Sequence, residues 1–287
     1  MKRILIILAA VLMTVSAAAQ RPVVFHLWPD GAPTSNGLSG DETTDPSGRI
    51  GNISDPTVTV YPARNPNGIC VIACPGGGYS YVSSKYEGHD MADWMNAQGI
   101  TFAVLHYRMP NGHHEVPLAD GEQVVRIIRA HAGEWGVNPQ KIGVMGFSAG
   151  GHFAATVSTL FTSPESRPDF SVLIYPVITM EDGITHGGTK MNLIGKSPEA
   201  SLVERYDLYR QVNSSTPPAF IALSADDMTV PPANGIRYFE SLVSNHVKGC
   251  SLHIYPVGGH GWGFRDSFIY KRQWTAELEK WIDEVIK

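Results

Sequence analysis

Gly146-Phe147-Ser148-Ala149-Gly150 is the stretch with the strongest chemical content. It follows the apolar run 142–145 and precedes a helical pattern opening Gly151-His152-Phe153, so the serine falls on a strand-to-helix turn. A G-x-S-x-G at such a junction strains the serine backbone and lets neighbouring strands pass close to the small residues. It also leaves the hydroxyl at a helix N-terminus, where developing negative charge is stabilised. A serine hydroxyl is a weak nucleophile at neutral pH; it needs a base, and the base needs an orienting group. Of the eleven histidines, His260 stands in Gly258-Gly259-His260-Gly261-Trp262-Gly263, after the last strand and before the terminal helix. Glycines on both sides leave that loop free to carry an imidazole to the sheet edge. His106 and His253 fall inside strands and His152 on the helix behind the turn, which makes them packing residues. His113-His114-Glu115 points adjacent side chains apart and has no second ligand pair at helical spacing, so no metal site is expected.

The orienting acid belongs after the penultimate strand if the chain order is Ser…Asp…His. Ser224-Ala225-Asp226-Asp227-Met228-Thr229-Val230-Pro231 sits there with two candidates. The D-x-x-V-P spacing before the next helix selects Asp227 and leaves Asp226 to bond the loop. The other acids, on helical stretches, are expected on solvated faces. Backbone donors for an oxyanion are expected from Pro75-Gly76-Gly77-Gly78-Tyr79, directly after an apolar strand, where bare backbone can approach an acyl group. The candidates are Gly77 or Gly78, together with Ala149. Gly76–Gly78 does not continue as the G-x-G-x-x-G of a dinucleotide site, and there is no S-x-x-K pattern. Tyr79 and Trp262 flank the site and are the candidate substrate-binding aromatics.

These residues need a frame that brings distant segments to one edge. Short β-branched or apolar runs at 57–61, 69–74, 101–107, 142–147, 171–175, 219–224 and 251–255 read as strands. Several are apolar throughout, as in a parallel sheet covered on both faces. Helical patterns lie between them at 86–98, 118–134, 150–161, 232–245 and 268–286, with Gly99 and Gly136 as stop signals. The alternation predicts one doubly wound α/β sheet. Residues 28–56 read as surface loop. Residues 179–216 form a polar insert, weakly helical near 202–212, placed where inserts cover one end of a sheet and shape a pocket.

Composition narrows the class further. With 287 residues, 43% hydrophobic and 17% charged, the chain can bury a large core and is not disordered. The formal charge of −5 and the lack of a basic run argue against a nucleic-acid partner. Lys2 and Arg3, the apolar run 4–15 and Ala17-Ala18-Ala19 have the order of a secretory signal peptide. Its apolar core is shorter than the roughly 20 residues that span a bilayer, so no stable membrane insertion is expected. The expected organisation is a signal peptide over 1–19 and one catalytic domain over 20–287, exported to the periplasm or medium. Cys70 and Cys74 lie about 13 Å apart along one strand, beyond disulfide reach. With Cys250 as the third, the thiols read as small buried hydrophobes.

Taken in order, Pro75-Gly76-Gly77-Gly78-Tyr79, Gly146-Phe147-Ser148-Ala149-Gly150-Gly151-His152, Ser224-Ala225-Asp226-Asp227 with Val230-Pro231, and Leu252 to Gly263 resemble the α/β-hydrolase superfamily. More narrowly, they resemble the exported bacterial carbohydrate esterases of the acetylxylan and feruloyl esterase group. Pro75 stands where many esterases carry His before the glycines. The resemblance implies an α/β-hydrolase fold with a mostly parallel central sheet and helices on both faces. It also implies a Ser148–His260–Asp227 triad, an acyl-enzyme, no cofactor, and acetyl or feruloyl esters of plant polysaccharides such as xylan as substrate. A peptidase of the prolyl-oligopeptidase type shares the triad but adds a propeller for which this chain has little room, and a lipase would carry a less polar insert. A serine exopeptidase of that type and a general small-ester carboxylesterase are the alternatives.

Overall fold

In the computed structural model, residues 21–287 are described; the leader expected over 1–19 lies outside them. Eight strands form one sheet: β1 (Val23–His26), β2 (Thr57–Tyr61), β3 (Cys70–Cys74), β4 (Thr101–His106), β5 (Ile142–Phe147), β6 (Phe170–Ile174), β7 (Ala219–Ser224) and β8 (Ser251–Tyr255). Their spatial order is β1-β2-β4-β3-β5-β6-β7-β8. β2 runs antiparallel to β1 and β4, and the six strands from β4 to β8 are mutually parallel. Seven of the eight are the expected strands to within a residue at each end. β1 was not expected; it is a mostly exposed four-residue edge strand without apolar alternation.

The central strands are buried from end to end because alternate side chains enter two different cores. Cys70, Ile72 and Cys74 enter the core that lies under α2 (Glu115–Ala130), α3 (Ala149–Leu160) and α7 (Ala233–Ser244) and also holds Val125, Phe153 and Tyr238. Val71 and Ala73 face the opposite way, into the core that lies under α1 (Ala92–Ala97) and α8 (Lys271–Trp281) and also holds Met95, Trp274 and Leu278. The thiols of Cys70 and Cys74 are fully buried, and burial drives both well above their ordinary pKa.

The expected helix over 86–98 is shorter than its pattern. A 3₁₀ turn at His89–Met91 leads into α1, and Gly88 is non-helical at φ −161°, ψ −98°. A Cβ at Gly88 would lie 2.5 Å from the Ser84 carbonyl and 2.7 Å from Val104, so the chain passes tightly over β4 before it can coil. Acids on helical stretches are not all solvated either. Asp120 of α2 is fully buried, pairing with Arg108 at 2.6 Å and accepting from Trp28 Nε1 at 2.8 Å.

Residues 28–56 are mainly loop, as expected, but contribute Thr43–Thr44 and Ile50–Gly51 to a small antiparallel sheet. The third member is Tyr81–Val82, just beyond the glycine turn after β3. The insert over 179–216 holds α4 (Gly187–Ile194), α5 (Ala200–Arg205) and α6 (Leu208–Gln211). Glu181 clips it to α7, accepting from Arg237 at 2.6 Å and Tyr209 at 2.6 Å. Those bonds hold its carboxyl down at about 2.

His152 of α3 is a second anchor. Its Nε2–H donates to the Tyr206 carbonyl at 3.1 Å, so Nδ1 accepts from the Tyr79 hydroxyl at 3.1 Å and the ring is neutral. Burial lowers its pKa to about 4, below the ordinary 6.5 of an unfolded chain. Between pH 6.5 and 4 the unfolded chain therefore binds the extra proton, and stability falls as pH falls through that window. The loss from this ring should reach up to about 3 kcal/mol. Urea midpoints measured from pH 7.5 to 4.5 should show it, and His152→Gln should flatten the slope, leaving the share due to His106, likewise lowered to about 4 by burial. An unchanged slope in His152→Gln would contradict this assignment.

Candidate active site

Ser148 sits between β5 and α3 with φ +54° and ψ −120°, a conformation that costs a side-chain-bearing residue about 1–3 kcal/mol. Neighbouring backbone holds it there: Ser148 N–H donates to Ile174 O at 3.1 Å, and Ser148 O accepts from Val177 N–H at 3.0 Å. The flanking glycines are sterically required. A Cβ on Gly150 would lie 2.0 Å from the Cys74 carbonyl oxygen, and one on Gly146 would lie 2.1 Å from that of Gly150. Backbone meets backbone at both places, so no side chain could move aside.

His260 hangs from the loop after β8. The Ser148 hydroxyl donates to its Nε2 at 2.8 Å, and its Nδ1–H donates to Asp227 Oδ2 at 2.6 Å. Asp227 is 3% exposed, and its other oxygen accepts from the Thr229 and Val230 N–H groups, both at 2.9 Å. Asp226 points elsewhere: it accepts from Gly259 N–H at 2.8 Å and braces the histidine loop. The three residues selected from sequence thus form one hydrogen-bonded series.

Gly77 and Gly78 line a cavity of about 650 Å³ beside Ser148 and His260. Their N–H groups and that of Ala149 have no acceptor among the described residues, leaving them available to an oxyanion. Gly77 at φ +145° could not carry a side chain, because its Cβ would fall 2.0 Å from the Tyr81 carbonyl. The insert holds this turn from above: Asn192 Nδ2 donates to Gly78 O at 2.8 Å and to Ser80 Oγ at 2.7 Å.

Glu87 holds it from below, buried rather than on the solvated helix face that its helical pattern predicts. Glu87 is 3% exposed. One oxygen accepts from Gly76 N–H at 2.7 Å and the other from the Tyr175 hydroxyl at 2.8 Å. The Tyr175 hydroxyl in turn accepts from Gly263 N–H at 2.8 Å, and its ring lies 4.8 Å from that of His260. Burial raises the carboxyl pKa, and the bonds from Tyr175 and Gly76 oppose that shift. One carboxylate therefore ties the glycine turn to the histidine loop. Glu87→Gln would set an amide NH₂ against one of those two donors, at a cost of about 1–3 kcal/mol. Steady-state kinetics should show kcat down about tenfold with KM little changed, because the turn is misplaced while the cavity stays open. Wild-type kcat in this variant would remove Glu87 from the positioning network. The sequence signal was faint: an acid ahead of a helix-breaking glycine.

Two substrate-stacking candidates are not placed for that role. Tyr79 is 1% exposed; its left-handed backbone, φ +60°, turns the ring inward to His152. It pins the glycine turn to α3. Trp262 borders the cavity but is only 4% exposed, stacked on Phe268 at 4.2 Å and met by Tyr175 at 4.6 Å, with Nε1 donating to Ser224 Oγ at 3.0 Å. No open ring face remains for a sugar. The cavity wall is completed instead by Arg49, Tyr81, Tyr86, His186 and Arg265, none of which stood out in sequence. His186 comes from the insert, which shapes the cavity as expected; burial and the nearby His260 lower its pKa.

Comparison with known proteins agrees with this architecture. A model of the alpha/beta hydrolase fold matches residues 71–263. An acetylxylan esterase from Xylanibacter ruminicola is 43% identical over 227 residues, covering 77% of this chain and 47% of that protein. Endo-1,4-beta-xylanase B of Butyrivibrio fibrisolvens is 32% identical over 206 residues, 67% of this chain and 32% of that protein. The chain thus spans about half the length of the first of these curated relatives and about a third of the second. Among solved structures, an acetyl ester-xyloside bifunctional hydrolase from Caldicellulosiruptor lactoaceticus superposes with a TM-score of 0.78 at 32% identity, covering 92% of this chain and 96% of that one. With the strand order, the serine turn and the family match in agreement, the chain belongs to the alpha/beta-hydrolase family.

Proposed function

We propose that this protein is a serine esterase that removes acetyl groups from carbohydrate, with acetylated xylan as the leading substrate. The observation that carries the reading is the unbroken series Ser148–His260–Asp227, with bonds of 2.8 and 2.6 Å, opening on a cavity lined by unpaired backbone donors. His260 takes the Ser148 proton as the oxygen attacks the ester carbonyl. Gly77 or Gly78 and Ala149 donate N–H groups to the oxyanion that forms. His260 then returns the proton to the departing sugar oxygen, leaving acetyl on Ser148. Water, deprotonated by His260, attacks that ester and releases acetate. The names of the two relatives and of the structural neighbour, all concerned with xylan or acetyl esters, support the choice of substrate.

The test is a panel of acetylated xylo-oligosaccharides, feruloylated oligosaccharides, 4-nitrophenyl acetate and a prolyl peptide amide, with acid and amine release quantified. Acetate release from the oligosaccharides should dominate. Ferulate release alone would reassign the acyl group. Cleavage of the nitrophenyl ester alone would leave a general carboxylesterase.

A further inference from the structure

Arg49 and Arg265 reach the same cavity as Ser148 from two different loops. Neither guanidinium has a hydrogen-bond or ion-pair partner among the described side chains, although the chain carries 27 acids against 22 Lys and Arg. The nearby acids are engaged elsewhere. Asp266 pairs with Lys271 at 2.6 Å, and Asp45 takes up the amide and hydroxyl of Ser47 and the backbone N–H of Arg49. Glu87, the one acid on the cavity wall, spends both oxygens on Gly76 and Tyr175.

Both arginines are braced by an aromatic ring. The Arg265 guanidinium lies 3.7 Å from the Tyr86 ring centroid, and that of Arg49 lies 4.8 Å from the Tyr81 centroid. The backbone reinforces each pair: Phe264 N–H donates to Tyr86 O at 2.8 Å, and Gly51 faces Tyr81 across the small sheet, two residues from Arg49. Stacking occupies the flat face of a guanidinium and leaves its in-plane N–H fork free, which is the geometry that receives a carboxylate. A positive pair held by aromatic rings and without a direct ion-pair partner, in the same cavity as the nucleophile, is suited to an anionic group of a substrate, although Asp45 and Glu87 act on it through space.

We propose that Arg265, assisted by Arg49, forms a subsite for a carboxylate beside the scissile ester, so that the preferred substrate is an acylated sugar chain bearing a uronic acid side group. This deepens the carbohydrate-esterase reading and rests on it. The subsite acts on substrate capture and sets which ester in a chain is presented to Ser148.

The experiment compares acetate release from two acetylated xylo-oligosaccharides of equal length, one carrying glucuronic acid and the other its uncharged methyl ester. A charge-assisted bidentate contact should favour the acid form by about 10–100-fold in kcat/KM, mostly through KM. Arg265→Met should bring the ratio of the two substrates to within about twofold of one. Arg49→Met should lower it part of the way, and Arg265→Lys, with the charge but not the fork, should keep only a fraction. A wild-type ratio near one, or a ratio that survives in both methionine variants, overturns the subsite. Acetate release from the methyl ester reports on the reading beneath it. If that ester is cleaved and the ratio is one, only the subsite fails. If neither oligosaccharide is cleaved while 4-nitrophenyl acetate is, the carbohydrate reading fails and the subsite with it.

Discussion

Replacing Ser148 with alanine should lower kcat for acetyl ester hydrolysis by about 10⁴–10⁶-fold while leaving the protein folded. The hydroxyl supplies the atom that becomes acylated, and neither neighbour can substitute: His260 has no attacking oxygen, and Asp227 is buried behind it. The fold should tolerate the change because the strained backbone at position 148 is held by main-chain bonds to Ile174 and Val177, not by the hydroxyl. The alanine variant should therefore melt close to wild type. Hydrolysis somewhat above the rate in water should persist, because the free N–H groups of Gly77, Gly78 and Ala149 would still polarise a bound carbonyl. Steady-state assays with 4-nitrophenyl acetate and a thermal melt decide the matter. Retention of more than about one per cent of kcat would remove Ser148 from the role.

Asp227→Asn should cost about 10⁴-fold in kcat, whereas Asp226→Asn should cost less than about tenfold. The difference follows from where donors already point. Oδ1 of Asp227 faces the N–H groups of Thr229 and Val230, so an asparagine must keep its carbonyl oxygen there. Its NH₂ then faces His260 Nδ1, which can no longer donate. The imidazole is forced into the tautomer with its proton on Nε2, facing Ser148, and cannot accept the serine proton. At Asp226 an asparagine retains a carbonyl for the Gly259 N–H and disturbs only an exposed brace. Equal effects at the two positions would show that the adjacent acids share the role.

How much of this was legible in the chain depends on how local each determinant is. Ser148 sits in a turn whose every demand, strand before, helix after, glycines within, is met inside ten residues. Asp227 was separable from Asp226 by spacing to the next helix, and the two carboxylates do point in different directions. Glu87 was not legible because its meaning lies in Gly76 and in Tyr175, 88 residues away, while its own neighbourhood mimics a helix. Tyr79 is a related case: its place beside the glycines is apparent in sequence, but the left-handed backbone that turns it inward is not. Arg49 and Arg265 carry no pattern at all. Their proposed role lies in two tyrosines and a shared cavity, and the small sheet brings Arg49 there by only two paired positions, Ile50 with Val82 and Gly51 with Tyr81, across a span of about thirty residues.

That small sheet has a mechanical consequence. Ile50 and Gly51 pair with Val82 and Tyr81, and the same stretch of chain is bonded back into the glycine turn through Ser83 N–H to Gly76 O at 2.9 Å and Ser80 N–H to Gly77 O at 3.0 Å. The arm carrying Arg49 and the glycine turn are joined by one hydrogen-bonded stretch of backbone, which would couple their local opening. On the proposed reading, a substrate held at Arg49 would also stiffen the glycine turn, so that its capture and the alignment of its carbonyl would be coupled.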